Sequence, residues 1–136
     1  MPVHRNKGAK GKADVLFSQI IRSQGYCEAY GKDDVDCSAQ LQTAHIITRK
    51  RSATRTDLRN AFCLCFAHHR FYTDYPRQFS HFISDGWAKD YYDTIHQASR
   101  IPTKVDWEDR AVFLSDVHQK LSSGVLTIAQ ARKLED

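Results

Sequence analysis

The chain has 136 residues, enough for a single domain, and 41% of them are hydrophobic, which permits a modest core. A chain of this size buries roughly two-thirds of the surface it would expose unfolded, so an added cross-link would be useful. The formal charge of +4 comes from 20 Lys and Arg against 16 Asp and Glu. No apolar run approaches the roughly 20 residues needed to span a bilayer, and no apolar stretch follows the first basic residues as in a secretory signal. The expectation is an intracellular, cytoplasmic protein with no membrane partner.

In chain order, residues 1–12 read as a flexible basic arm, with His4, Arg5, Lys7, Lys10 and Lys12 interspersed with Gly8 and Gly11. Ala13 or Asp14 opens a first amphipathic helix through Val15, Leu16, Ile20 and Ile21, ended by Gly25. Tyr26 to Gln40 is polar and acidic and reads as a loop carrying Cys27 and Cys37. Leu41 to Ile47 reads as a short strand. Thr48 to Arg59 lacks apolar periodicity and reads as a basic loop, and Asn60 to Cys65 as a second strand. A helix is expected from His68, another from Pro76, where the missing N–H costs nothing, and a third beyond Gly86 with Trp87, Tyr91, Tyr92 and Ile95. Asp106 caps a further helix through Trp107, Leu114 and Val117. Gly124 ends it before a short final helix with Ile128 and Ala131. Three regions follow: the arm at 1–12, a core at 13–100, and a helical extension of the same domain at 101–136. Helix predominates, with two short strands in the middle.

In a reducing compartment four cysteines point to metal ligands or buried thiols more than to disulfides. Cys65 and His68, two residues apart, can reach one tetrahedral ion from a tight turn. Zinc suits thiolate and imidazole, and Cys27 and Cys37 are the natural further ligands, giving three thiolates and one imidazole. Strand alternation puts Cys63 on the same face as Cys65, so Cys63 is a rival to Cys37. Cys37 is preferred, because Cys63 lies between Phe62 and Leu64 and suits a core position. His69 follows His68 directly and faces elsewhere. His45, between Ala44 and Ile46, would by itself read as structural. Arg49, Lys50, Arg51, Arg55 and Arg59 cluster within eleven residues around one acid, Asp57. Such a cluster suits a polyanion, although a solvated charge run is the plainer alternative.

Taken together, His45, Asn60 and His69 resemble the HNH nucleases, in which a His ends one strand, an Asn precedes the second, and a final His opens a helix. Asn60 stands five residues before Cys65 and His69 directly follows His68, both at the family's spacing around a zinc knuckle. The stretch from Ala44 to Asn60 is similar to phage-encoded HNH proteins, including the NinG-like recombination group. The resemblance covers roughly residues 26–84.

It implies a helix-rich α+β domain with a central ββα-metal unit, a zinc knuckle and flanking helices. It also implies a metal-dependent DNA endonuclease that hydrolyses phosphodiester bonds. By the same resemblance His45 is the general base, Asn60 orients the loop that carries it, and His69 binds a catalytic Mg²⁺ or Mn²⁺. Arg49, Lys50, Arg51 and Arg55 then hold DNA phosphates. Many members carry Asp where this chain has Ala44, and some carry a further His where it has Thr73. Asp57, Asp74, water and phosphate oxygens are the remaining candidates for that cation's shell. The rival class is a non-catalytic zinc-stabilised DNA-binding module, which needs the zinc ligands but not His45 or Asn60. An RNA-cleaving enzyme on the same core is a third reading. Oligomeric state is left open, a homodimer included.

Overall fold

The run Ala61-Phe62-Cys63-Leu64-Cys65 is apolar at every position, and all five residues are buried. A strand apolar on both faces must be covered on both, and this requirement organises the molecule. A computed structural model describes residues 8–136. The elements are helix α1 (Gly8–Arg22), strand β1 (Leu41–His45), strand β2 (Ala61–Cys65), and helices α2 (Phe66–Asp74), α3 (Pro76–Ser84), α4 (Lys89–Ser99), α5 (Trp107–Ser122) and α6 (Ile128–Lys133). The two strands pair antiparallel, with His45 opposite Ala61, Thr43 opposite Cys63 and Leu41 opposite Cys65.

One face of this hairpin packs on α1, α5 and α6. There Ala61 and Cys63 share one apolar cluster with Phe17, Ile20 and Ile21 of α1, Leu114 and Val117 of α5, and Ala131 of α6. The 3–4-residue spacing of these positions gives each long helix a single apolar stripe. The other face carries Ala44, Phe62 and Leu64 against Tyr72, Ile83 and Ala88, with Phe79, Phe82 and Trp87 around them. The Phe62 ring lies 4.8 Å from Phe82 and 5.0 Å from Trp87, within the range of favourable aromatic packing. The molecule is thus a helix-rich α+β fold with a two-stranded sheet between helical layers.

Local chemistry sets most boundaries. The Asp106 side chain accepts from the Asp109 N–H and starts α5. Gly124, at φ 76°, ends the turn after it. Thr127 and Gln130 form a reciprocal capping box on α6. Tyr75 precedes Pro76 and is held out of the helical region, which separates α2 from α3. No helix among the described residues is long and apolar enough to cross a membrane.

The structure departs from the sequence reading at several points, among them β1 stopping at His45 instead of Ile47 and β2 starting at Ala61 instead of Asn60. Helix α1 begins at Gly8, so residues 8–12 of the expected arm are helical, while His4, Arg5 and Lys7 lie outside the described residues. Gly11 is buried on the helix, and Lys10 reaches over the Trp107 ring at 5.7 Å. Tertiary packing therefore overrides the interior Gly11, which costs about 1 kcal/mol of helix propensity, while Gly8 at φ 83° only opens the helix. Helix α2 starts at Phe66, not His68, because Cys65 is its cap. The segment between the strands contains two single-turn 3₁₀ helices, Ser52–Thr54 and Leu58–Asn60, with Thr54, Thr56, Leu58, Arg59 and Asn60 all buried.

Leu114 is fully buried between the first helix and the sheet. Leu114→Ala is expected to lower stability by about 2–5 kcal/mol, read as a drop in the urea midpoint at unchanged slope.

Candidate metal centre and histidine cleft

Cys65 closes β2 with φ −67° and ψ 161°, and its Sγ accepts the His68 backbone N–H at 3.3 Å. That turn swings the Cys65 side chain away from the face Cys63 occupies. The loop after α1 brings Cys27 and Cys37 to the same point. Its tight return passes through Gly31 at φ 78° and through Asp33 and Asp34 at φ 58° and 53°. Left-handed backbone is costly for most residues and tolerated by Asp. The Tyr72 hydroxyl donates to Asp33 Oδ2 at 2.6 Å and ties this return to α2.

The ligand atoms of Cys27, Cys37, Cys65 and His68 all lie within 4.8 Å of one another. His68 Nδ1 is 3.6, 3.5 and 3.3 Å from the sulfurs of Cys27, Cys37 and Cys65. With Zn–S near 2.3 Å and Zn–N near 2.05 Å, a tetrahedral site requires S···N edges of about 3.6 Å. His68 Nε2 lies 3.1 Å from the Lys32 carbonyl oxygen, an obligate acceptor, so the proton is on Nε2 and the Nδ1 lone pair faces the sulfurs. Burial opposes ionisation of Cys65, but hydrogen bonds from the backbone N–H groups of His68 and Ser38 pull its thiol below the usual value. Cys37, at the exposed rim, is pushed up to about 12 by desolvation and by the Cys65 and Cys27 sulfurs. Three cysteine sulfurs and one imidazole at this spacing form a donor set that suits structural zinc, which would bind the sulfurs as thiolates.

Cys63 is not part of this cluster. It is fully buried in the α1–α5 core, burial raises its thiol to about 11, and its N–H donates to Glu28 Oε2 at 2.6 Å.

The second group surrounds the strand ends. Asn60 is fully buried, and its amide spans the connecting segment: Nδ2 donates to the carbonyls of Ile47 at 3.0 Å and Thr54 at 2.9 Å, and Oδ1 accepts the Ile47 N–H at 2.7 Å. The next carbonyl after that of Thr54, the Arg55 carbonyl, lies 3.0 Å from His45 Nε2. His45 therefore carries its proton on Nε2, leaving the Nδ1 lone pair free. Its ring stands 5.3 Å from that of Phe17, and burial, offset in part by the Arg55 carbonyl, lowers its pKa below 6.5 with help from the charges of Arg49 and Arg55. His69 Nδ1 lies 2.7 Å from Gln42 Oε1, which assigns its proton likewise and leaves Nε2 unprotonated. Burial also lowers the His69 pKa. His45 and His69 both border a cleft of about 290 Å³, with Ala44, Thr48 and Thr73 on its wall.

The remaining site candidates separate. Asp57 is held by Arg59 through contacts of 2.8 and 3.0 Å, whereas Asp74 is exposed, 3.9 Å from Arg70. Arg49, Lys50 and Arg51 are exposed. Arg55 instead makes a two-point ion pair with Asp14, 2.8 Å at each contact, and donates to the Arg49 carbonyl. Gln42, Glu28 and Asp14 carry no sequence signal for these roles, because each acts on a partner at least 27 residues away. Compared with protein-family models, curated proteins and solved structures, the chain matches none.

Proposed function

We propose that the chain is a metal-dependent DNA endonuclease of the HNH type, in which β1, β2 and α2 form the ββα-metal unit. The observation that carries this reading is the Asn60 clamp: a fully buried side-chain amide closes the segment whose Arg55 carbonyl fixes the His45 ring. A core histidine kept only for packing would not require such a device. His45 Nδ1 takes the proton from the attacking water, and a ring held neutral near physiological pH is ready to do so. His69 Nε2 would hold a divalent cation, Mg²⁺ or Mn²⁺, with water and phosphate oxygens as its other ligands. That cation would neutralise charge developing on the leaving oxygen. Zinc on Cys27, Cys37, Cys65 and His68 has a separate duty, holding the loop, the strand end and α2 together.

Ala44 and Thr73 favour one rival, a zinc-stabilised DNA-binding module without catalysis, since neither supplies a cation ligand beside His69. Incubation with supercoiled plasmid, with and without Mg²⁺ or Mn²⁺, separates the two. Metal-dependent conversion to nicked or linear DNA is expected. DNA binding without conversion under any of these ions would establish the module.

Salt dependence tests the DNA contacts. Arg49, Lys50 and Arg51 are exposed, Arg49 with only a 3.9 Å approach to Asp14, so replacing each by Ala should lower the log–log slope of affinity against salt by about one unit. Arg55→Ala should leave that slope nearly unchanged, since its guanidinium is already paired with Asp14. A triple variant with the slope of the unaltered protein would make these residues solvated charges only.

A further inference from the structure

Three consecutive carbonyls in the segment between the strands each meet a different side chain. Thr54 O accepts from Asn60 Nδ2, Arg55 O faces His45 Nε2, and Thr56 O accepts from the guanidinium of Arg110 on α5. Arg110 also donates through Nε to Thr56 Oγ1 at 3.0 Å, so it grips Thr56 at two points. The guanidinium is itself held: both Glu135 carboxyl oxygens accept from it, and Glu135 Oε2 also accepts the Leu58 N–H at 2.7 Å. The Glu135 side chain is nearly buried, at 5% exposure, which keeps water from competing for these bonds. Arg132 adds a bond from Nε to the Leu58 carbonyl at 3.1 Å.

We propose that Arg110, fixed by Glu135, is a positioning residue for His45. It anchors the peptide on one side of the Arg55 carbonyl as Asn60 anchors it on the other. A carbonyl between two tethered neighbours cannot rotate away from the ring, so the imidazole keeps one tautomer and one orientation. Asp14, Arg49 and Arg55 are the charged groups facing this ring. None of them holds the Thr56 peptide, which is the task of Arg110. The C-terminal helices thereby act on the cleft at a distance, through the segment they grip. The catalytic half of this inference rests on the endonuclease reading; the geometric half does not.

The test uses the full chain with Arg110→Gln, Arg110→Lys and Glu135→Gln. The first readout is the ¹⁵N shifts of the His45 ring, which report its tautomer without any substrate. The unaltered protein should show one Nε2–H form, and Arg110→Gln a mixture. The second readout is plasmid cleavage, where kcat should fall about 10- to 100-fold with KM for DNA within about twofold, the signature of misplaced chemistry rather than lost binding. Arg110→Lys keeps a donor for the Thr56 carbonyl and should recover part of the loss. Should Arg110→Gln fail to fold, Glu135→Gln is expected to move both readouts in the same direction by less. A folded Arg110→Gln protein with an unmixed Nε2–H tautomer overturns the inference, as does a mixed tautomer at full kcat. If the unaltered protein cleaves no DNA, the endonuclease reading falls, and the ring shifts alone decide whether Arg110 positions His45.

Discussion

Removal of zinc with a strong chelator is expected to unfold the region joining the Cys27–Cys37 loop to β2 and α2. Protein purified without chelator should carry about one zinc per chain. The four donors come from a loop, a strand end and a helix start, and few apolar contacts replace them: Cys37 is exposed, and the residues from Lys32 to Gln40 are mostly exposed as well. Metal binding in such a site is folding free energy, so its removal should cost far more than any single core truncation. Acidification acts in the same direction, because protons compete for three thiolates. Cys37→Ser is expected to lose the metal and melt early. Cys63→Ser should keep the metal and lose only about 1–3 kcal/mol, the cost of placing a hydroxyl in an apolar core position. Full zinc content in Cys37→Ser, or loss of zinc in Cys63→Ser, would reverse the ligand set.

Much of this centre was legible in the sequence because its strongest signal is local. Cys65 and His68 sit one turn apart, and the same turn caps α2. The preference for Cys37 over Cys63 rested there on the apolar neighbours of Cys63 alone, and the cluster of Cys27, Cys37, Cys65 and His68 agrees with it. Alternation along a regular strand predicts a shared face for Cys63 and Cys65, and that rule holds only while the strand continues. Cys65 is the residue at which it stops, so its side chain leaves the pattern. Apolar spacing likewise located α1 and α5 but not the start of α1. Glycine and lysine near the N-terminus look like an arm until Trp107 and the apolar stripe of α5 are there to pack against.

The basic segment between the strands was legible as basic and not as structure. Most of its buried polar groups are satisfied by distant partners, with the Thr54 hydroxyl an exception. Arg59 is paired with Asp57 and Asp136, Arg55 with Asp14, Thr56 with Arg110, and Leu58 through its backbone with Glu135 and Arg132. Apart from Asp57, these partners lie 41 or more residues away in the chain. Charge patterning by itself cannot separate an arginine that meets solvent from one that meets a buried carboxylate. Arg49 and Arg55, six residues apart, both approach Asp14, but Arg49 stays mostly in solvent at 3.9 Å while Arg55 is pinned by two contacts of 2.8 Å.

His45→Ala is expected to abolish plasmid cleavage while leaving zinc content and DNA affinity nearly unchanged. A general base commonly contributes about 10²- to 10⁴-fold in rate, well above the effect of losing one ring contact with Phe17. The pH profile supplies the sign. Burial, together with the Arg49 and Arg55 charges, holds the imidazole below its ordinary value of 6.5, so the neutral base persists to lower pH than for a free histidine. The acid limb of kcat/KM should therefore lie below pH 6.5 in the unaltered protein and be absent from any residual activity of His45→Ala. His69→Ala should also inactivate, but by a different route, through the ligand it would offer a divalent cation. Raising Mg²⁺ or Mn²⁺ is expected to restore part of the activity of His69→Ala and none of that of His45→Ala. Asn60→Ala should fall between in rate and also lose stability, since it leaves the Ile47 and Thr54 backbone groups without their buried partner. A purely structural His45 predicts another outcome, a fall in melting temperature and activity together with no change in the shape of the pH profile. Full cleavage by a well-folded His45→Ala protein would remove this residue from the chemistry and leave the Asn60 clamp to be explained by folding alone.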